Sequence, residues 1–184
     1  MRNRLTRILL FAGLVIVLAF IFNISLTAFT GDGKDTPEEA LPTDANYEWI
    51  EGPKSDKEQR YFFLSNGQYF GTGYVEKNLK GWSAGEGTYS KLPNALTENT
   101  ITSAHSDSKI LFGLIKPKGN IQISVNNKHA KLIQLDFLSD DILSTYNVEG
   151  YAIWYIDLEE IDNAKSFTIK VLGENDSVLN ELSI

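Results

Sequence analysis

The chain has 184 residues, a formal net charge of −7, 42% hydrophobic residues and no cysteine. Lack of cysteine excludes disulfides, thiol nucleophiles, thiolate metal sites and iron–sulfur clusters together. An acidic balance, with no basic cluster beyond the first few residues, argues against nucleic acid and against adhesion to anionic lipid or wall polymer, and it also serves solubility.

Residues Ile8 to Phe29 read ILLFAGLVIVLAFIFNISLTAF, uncharged, with Asn23, Ser25 and Thr27 as the polar interruptions. That length suits a helix crossing a hydrocarbon core of roughly 30 Å. Arg2, Arg4 and Arg7 precede it, and the first acidic residue is Asp32. The positive-inside rule then places the N-terminus in the cytoplasm and the chain from about Thr30 onward across the membrane. A cleaved signal peptide is the alternative. A cut after Ala28 puts Leu26 where a small residue is wanted, whereas a cut after Thr27 puts Ser25 there. A retained single-pass anchor is the preferred expectation: residues 1–30 form the basic tail and membrane segment. All twenty-four acidic residues and fourteen of the seventeen basic ones follow, so the exported part carries −10.

Residues 31–45, GDGKDTPEEALPTDA, read as a polar linker holding at most one helical turn. Thr36 can cap it, Pro37 suits its first position, Glu38 and Glu39 favour its positive end, and Pro42 stops it. A β-rich subdomain is expected over 46–107. Tyr47–Ile50 reads as a short strand. Arg60–Ser65 and Gln68–Val75 flank Asn66-Gly67, a hairpin signal because both turn residues must reach positive φ. Gly71 and Gly73 point to a bulge or a close backbone approach in the second arm. Gly81 to Tyr89 (GWSAGEGTY) is expected to be an irregular glycine-rich loop, and the Asn/Ser/Thr-rich stretch 91–107 a boundary.

Residues 108–184 carry the clearest strand pattern. Ile110, Phe112 and Leu114 alternate with Leu111, Gly113 and Ile115. Ile121, Ile123 and Val125 alternate with polar neighbours before Asn126-Asn127 turns the chain into Lys131–Phe137. Tyr151–Leu158 (YAIWYIDL) is apolar on both faces, as a central strand would be. Phe167, Ile169 and Val171 alternate with Thr168 and Lys170, and a last arm lies near Val178–Leu182. The fold class expected is mainly β: a transmembrane helix, a short linker, and a hairpin-containing subdomain packed with or followed by an antiparallel, immunoglobulin-like β-sandwich.

Tyr74-Val75-Glu76-Lys77, Gly81-Trp82 with its glycine-rich stretch, Phe112-Gly113-Leu114-Ile115, Ile121-x-Ile123-x-Val125 and Ile153-Trp154-Tyr155 follow one another in an order that resembles small exported or membrane-anchored proteins of Bacillus-type Gram-positive bacteria. The resemblance runs from Tyr47 to the C-terminus. It implies location and architecture, and carries over no catalytic residue.

Among groups able to do chemistry, His105 and His129 belong to no metal-binding pattern and are expected to be surface residues. Carboxylates cluster at Asp140-Asp141 and at Asp157, Glu159, Glu160 and Asp162; the second group, with Asn163, offers oxygen ligands but lacks the spacing of a calcium loop, so a solvated loop is expected there. No nucleophile motif occurs. Gly71-x-Gly73 lacks the third glycine and following helix of a dinucleotide site. No catalytic residue, metal or cofactor is therefore assigned. The best site candidate is Trp82 and Tyr89 around Gly85 and Gly87, an aromatic platform for a sugar ring or peptide, although a Trp folded onto its own sheet edge, with glycines making the turn, is the preferred reading of that stretch. The function expected is a non-enzymatic binding module of the cell envelope, held at the membrane through residues 8–29. Its partner would be an envelope protein or glycan and not nucleic acid. A small carboxylate-dependent glycosidase is the alternative.

Overall fold

The computed structural model describes residues 2–30, 33–43, 46–161 and 166–184. Helix α1 (Arg2–Thr30) contains an uninterrupted span, Arg4–Ala28, none of whose apolar window is buried in protein. Its 25 residues reach about 37 Å, long and apolar enough to cross a membrane. A helix of these dimensions serves either as an anchor or as the apolar core of a signal sequence.

The rest is mainly β, and the chain divides into two compact units. Strands β1 (Tyr47–Lys54), β2 (Glu58–Ser65), β3 (Tyr69–Asn78) and β4 (Gly81–Lys91) form a four-stranded meander in sequence order. One unit takes α1, the linker, and residues 51–61 and 73–86 of this meander; the other takes 45–50, 62–72 and everything from Gly87 onward.

The second unit holds the sandwich expected from the alternating patterns. One sheet runs β5 (His105–Ser106), β6 (Ile110–Ile115), β10 (Ala152–Asp157), β9 (Lys131–Gln134). The other runs β12 (Val178–Ser183), β11 (Thr168–Leu172), β7 (Gln122–Val125), β8 (Lys128–His129). Neighbouring strands in both sheets are antiparallel. Leu111, Ile115, Trp154 and Ile156 of the first sheet meet Ile123, Val125, Ile169 and Val171 of the second in one apolar cluster. Gly113 lies opposite Trp154, and a Cβ there would come within 2.8 Å of the indole nitrogen, so the glycine makes room for the largest fully buried side chain.

Because side chains alternate along a strand, the other face of the same sheet is equally apolar. Ile110, Phe112, Leu114, Ile153 and Tyr155 pack with Ile50, Phe62, Leu64 and Phe70 of the meander. Strand β10 is thus central and buried on both sides, as YAIWYIDL required. Leu96 and Ile101, from the polar stretch 91–107, enter one cluster each, and the Leu96 amide donates to the Tyr151 hydroxyl at 2.7 Å.

Turn chemistry behaves as expected. Asn66 and Gly67 take φ of 51° and 68°, and Asn126 and Asn127 take 47° and 68°, closing the β2–β3 and β7–β8 hairpins. One expectation is corrected. Gly81 to Tyr89 is strand, not loop. Glycine there marks close approach rather than disorder, since a Cβ on Gly85 would strike the Tyr74 ring at 2.4 Å. Asp140-Asp141 opens helix α2 (Asp140–Tyr146), in whose first turn acids suit the positive helix end. That helix buries Leu143 and Tyr146 and closes at Asn147 in the left-handed conformation.

Of the linker, 33–43 is described, while Gly31, Asp32, Asp44 and Ala45 lie outside the described residues. The expected turn is there as a 3-10 helix, Glu38–Ala40, with the Thr36 hydroxyl accepting from the Glu39 amide at 3.3 Å. Lys34 and Trp82 exchange backbone hydrogen bonds of 2.7 and 2.8 Å, and the Tyr61 hydroxyl donates to Glu38 Oε1 at 3.0 Å. This part of the linker is fastened to the meander at two points.

Candidate functional site

Phe62 and Phe63 are consecutive in β2, so they face opposite ways. Phe62 enters the core, stacked near Phe70, Phe112 and Tyr155. Phe63 turns to the outer face of the meander, where other rings meet it. Tyr47 and Trp49 stack at 4.8 Å between centroids, and each sets an edge against Phe63, at 5.1 and 5.2 Å. On the two following strands, Tyr69 and Tyr89 form a T-shaped pair at 5.6 Å. Between the groups lies Gly71, where a Cβ would meet Phe63 Cζ at 2.6 Å and Tyr89 Cβ at 2.7 Å. The glycine lets rings from β2 and β4 close over β3.

The result is an aromatic strip across all four strands, contained in the second unit. Phe63 forms its buried floor, Tyr47, Trp49 and Tyr69 are half-buried, and Tyr89 is 69% exposed. Three phenol hydroxyls and one indole N–H supply polar edges. Such a face offers flat apolar area at low entropic cost with hydrogen-bonding groups around it.

Strand β4 separates the four residues singled out from the sequence. Tyr89 belongs to the strip and Gly87 lies two residues before it, both in the second unit. Trp82 and Gly85 belong to the first unit. Trp82 is only 7% exposed, with the Lys77 ammonium 5.8 Å from its ring centroid and the Lys34 backbone paired to it. Gly85 lies against Tyr74. Sequence reasoning missed Tyr47, Trp49, Phe63 and Tyr69. The available signal was the doubled aromatic Phe62-Phe63, which puts one ring on each face of a sheet.

The charged and titratable groups are placed as follows. His105 is half-buried between Ser90, whose Oγ is 3.0 Å from its Nε2, and the Phe112 ring; burial holds its pKa below the ordinary histidine value. His129 is exposed on β8. Tyr155 is pushed up by burial and then by Asp157 and Glu160, and Asp157 reaches Lys131 at 3.7 Å. Glu38 is held low by a bond to its own backbone amide and by the Tyr61 hydroxyl, while burial, then Glu38, raises Tyr61. Glu159 and Glu160 lie in a 3-10 turn, and Asp162 and Asn163 lie outside the described residues. Among the described residues no three His, Cys, Asp or Glu side chains gather as a metal site would need. A cleft of about 430 Å³ opens over Ile121, Ala130 and Leu132, with Gln122, Asn175 and one carboxylate, Glu174, at its rim.

Compared with protein-family models, curated proteins and solved structures, the chain finds no match.

Proposed function

We propose that this protein is a single-pass, membrane-anchored binding module of the cell envelope, its β-domain extracytoplasmic and its ligand a neutral glycan. The observation that carries this reading is the aromatic strip Tyr47–Trp49–Phe63–Tyr69–Tyr89, laid across a sheet whose opposite face is core. Core packing accounts for Phe62 and Phe70; it does not account for a second set of rings on the outer face, one of them largely exposed. Sugar rings present an apolar face edged by hydroxyls, and half-buried Tyr and Trp match both features. An exported portion at −10 disfavours anionic polymers, so an uncharged glycan fits best.

Arg2, Arg4 and Arg7, ahead of the uncharged run that begins at Ile8, support a cytoplasmic N-terminus, and the length of α1 supports retention. The hydrolase alternative needs two facing carboxyl groups, whereas the Glu174 cleft supplies one.

The test is titration calorimetry of the full chain in nanodiscs with a neutral N-acetylglucosamine oligomer. Tyr89→Ala and Trp49→Ala should each weaken binding about tenfold, worth about 1.4 kcal/mol. Equal affinity in wild type and both variants would remove the strip from the account.

A further inference from the structure

The β3–β4 turn carries contacts that a solvent-facing hairpin has no reason to make. Its tip residue Leu79 is 87% exposed, the most exposed large hydrophobic side chain outside α1 among the described residues. Its neighbour Lys80 reaches α1: the ammonium donates to the Asn23 carbonyl oxygen at 3.5 Å and to the Thr27 hydroxyl, which itself donates to that carbonyl at 2.9 Å. Both positions lie inside the apolar span Arg4–Ala28. At about 1.5 Å per residue, Asn23 is roughly 7 Å short of the end of that span.

The turn is held firmly there. The Asn78 side chain accepts from the Lys80 amide at 2.7 Å and donates to Ser83 Oγ at 2.8 Å. Lys34 pairs with Trp82, and a Cβ on Gly33 would fall 2.2 Å from the Lys80 carbonyl oxygen, so the chain leaving α1 lies directly on the turn. Helix end, linker and hairpin tip form one local assembly, all of it within the first unit.

We propose that the turn Asn78–Gly81 is a second membrane contact, with Leu79 seated among the lipids of the leaflet from which α1 emerges. This rests on α1 being retained in the bilayer. Wherever the last turns of the helix enter apolar lipid, Lys80 is carried with them. Its long stem can lie along apolar surface while its ammonium stays with the Asn23 carbonyl and the headgroup layer. Leu79, with the neighbouring side chains and backbone otherwise engaged, is left pointing outward at the same level. The neighbour of the exposed Leu79 side chain is therefore lipid.

The absence of native cysteine makes single-site labelling clean. Full-length Leu79→Cys, Ile16→Cys in the middle of α1, and Gln68→Cys at the other end of β3 would each carry an environment-sensitive nitrobenzoxadiazole dye. Each would be placed in phosphatidylcholine nanodiscs bearing a nitroxide high on the acyl chain. The dye at position 79 should lose most of its fluorescence and emit at shorter wavelength, as the one at 16 does, while the dye at 68 keeps its emission. Quenching at 16 with none at 79 overturns the proposal and leaves the anchor standing. No quenching at 16 removes the anchor and the proposal with it. Leu79 is exposed, so its replacement should leave folding unchanged.

Discussion

Replacing Trp82 with Ala separates its two meanings, buried strand residue or binding platform. The ring is 7% exposed, yet it belongs to neither large apolar cluster; one of its neighbours is the Lys77 side chain. Emptying a buried aromatic site costs about 3–5 kcal/mol. The cation–π contact with Lys77 contributes only about 0.5–1 kcal/mol of stability. The backbone pair with Lys34 survives the change, because it uses no side-chain atom. The expected loss therefore sits near the lower bound, about 3 kcal/mol. For a chain of this size each kcal/mol lowers the melting midpoint by about 2–4 °C, so Trp82→Ala should melt about 6–12 °C below wild type. Tyr89→Ala, whose ring is largely exposed, should lose no more than its edge contact with Tyr69, about 1 kcal/mol. The assay is thermal melting of the full chain in detergent micelles, followed by circular dichroism in the strand region. A Trp82→Ala midpoint within about 2 °C of wild type would refute the burial argument and return Trp82 to the list of binding residues.

If α1 is retained, intact mass of the membrane fraction should match the full chain, and carbonate washing should not release it; a product beginning near Ala28 in the medium would identify a cleaved signal. Stability should also respond to acid through His105. Burial lowers its folded pKa, so the unfolded chain, near 6.5, takes up the proton first. Stability then falls as pH drops below about 6.5, and this loss stops once pH passes the folded value. Denaturant midpoints of His105→Gln should vary less with pH between about 6.5 and 5 than those of wild type, and equal slopes would count against the assignment. Glu38, with a depressed folded pKa, should add its own loss only as pH falls below its ordinary value of 4.5.

The sandwich was legible from two patterns, alternation in some strands and apolar residues on both faces of others. Ile123 and Val125 share the buried apolar face of β7, and the doubly apolar YAIWYIDL could only be a central strand. Both turns marked by asparagine formed for the same local reason, positive φ. Helix α2 was hidden because seven residues give too few turns for a 3.6-residue period to emerge. Strand β4 was misread because glycine was taken as a loop former, when Gly85 is small to admit the Tyr74 ring, a neighbour no one-dimensional pattern reveals. The aromatic strip failed for a related reason. Its five members are spread over forty-three positions, Tyr47 to Tyr89, and only the pairing of four strands brings them into one row.

The chain has three tryptophans, and they sit in three settings: Trp49 in the strip, Trp82 buried against Lys34 and Lys77, and Trp154 fully inside the sandwich. Fluorotryptophan incorporation would give one fluorine resonance for each, assigned by replacing each Trp with Phe in turn. On titration with a neutral N-acetylglucosamine oligomer, the Trp49 resonance should shift and saturate while those of Trp82 and Trp154 stay in place. A saturating shift of Trp82 with Trp49 unmoved would put the binding surface at the start of β4 and contradict the aromatic face.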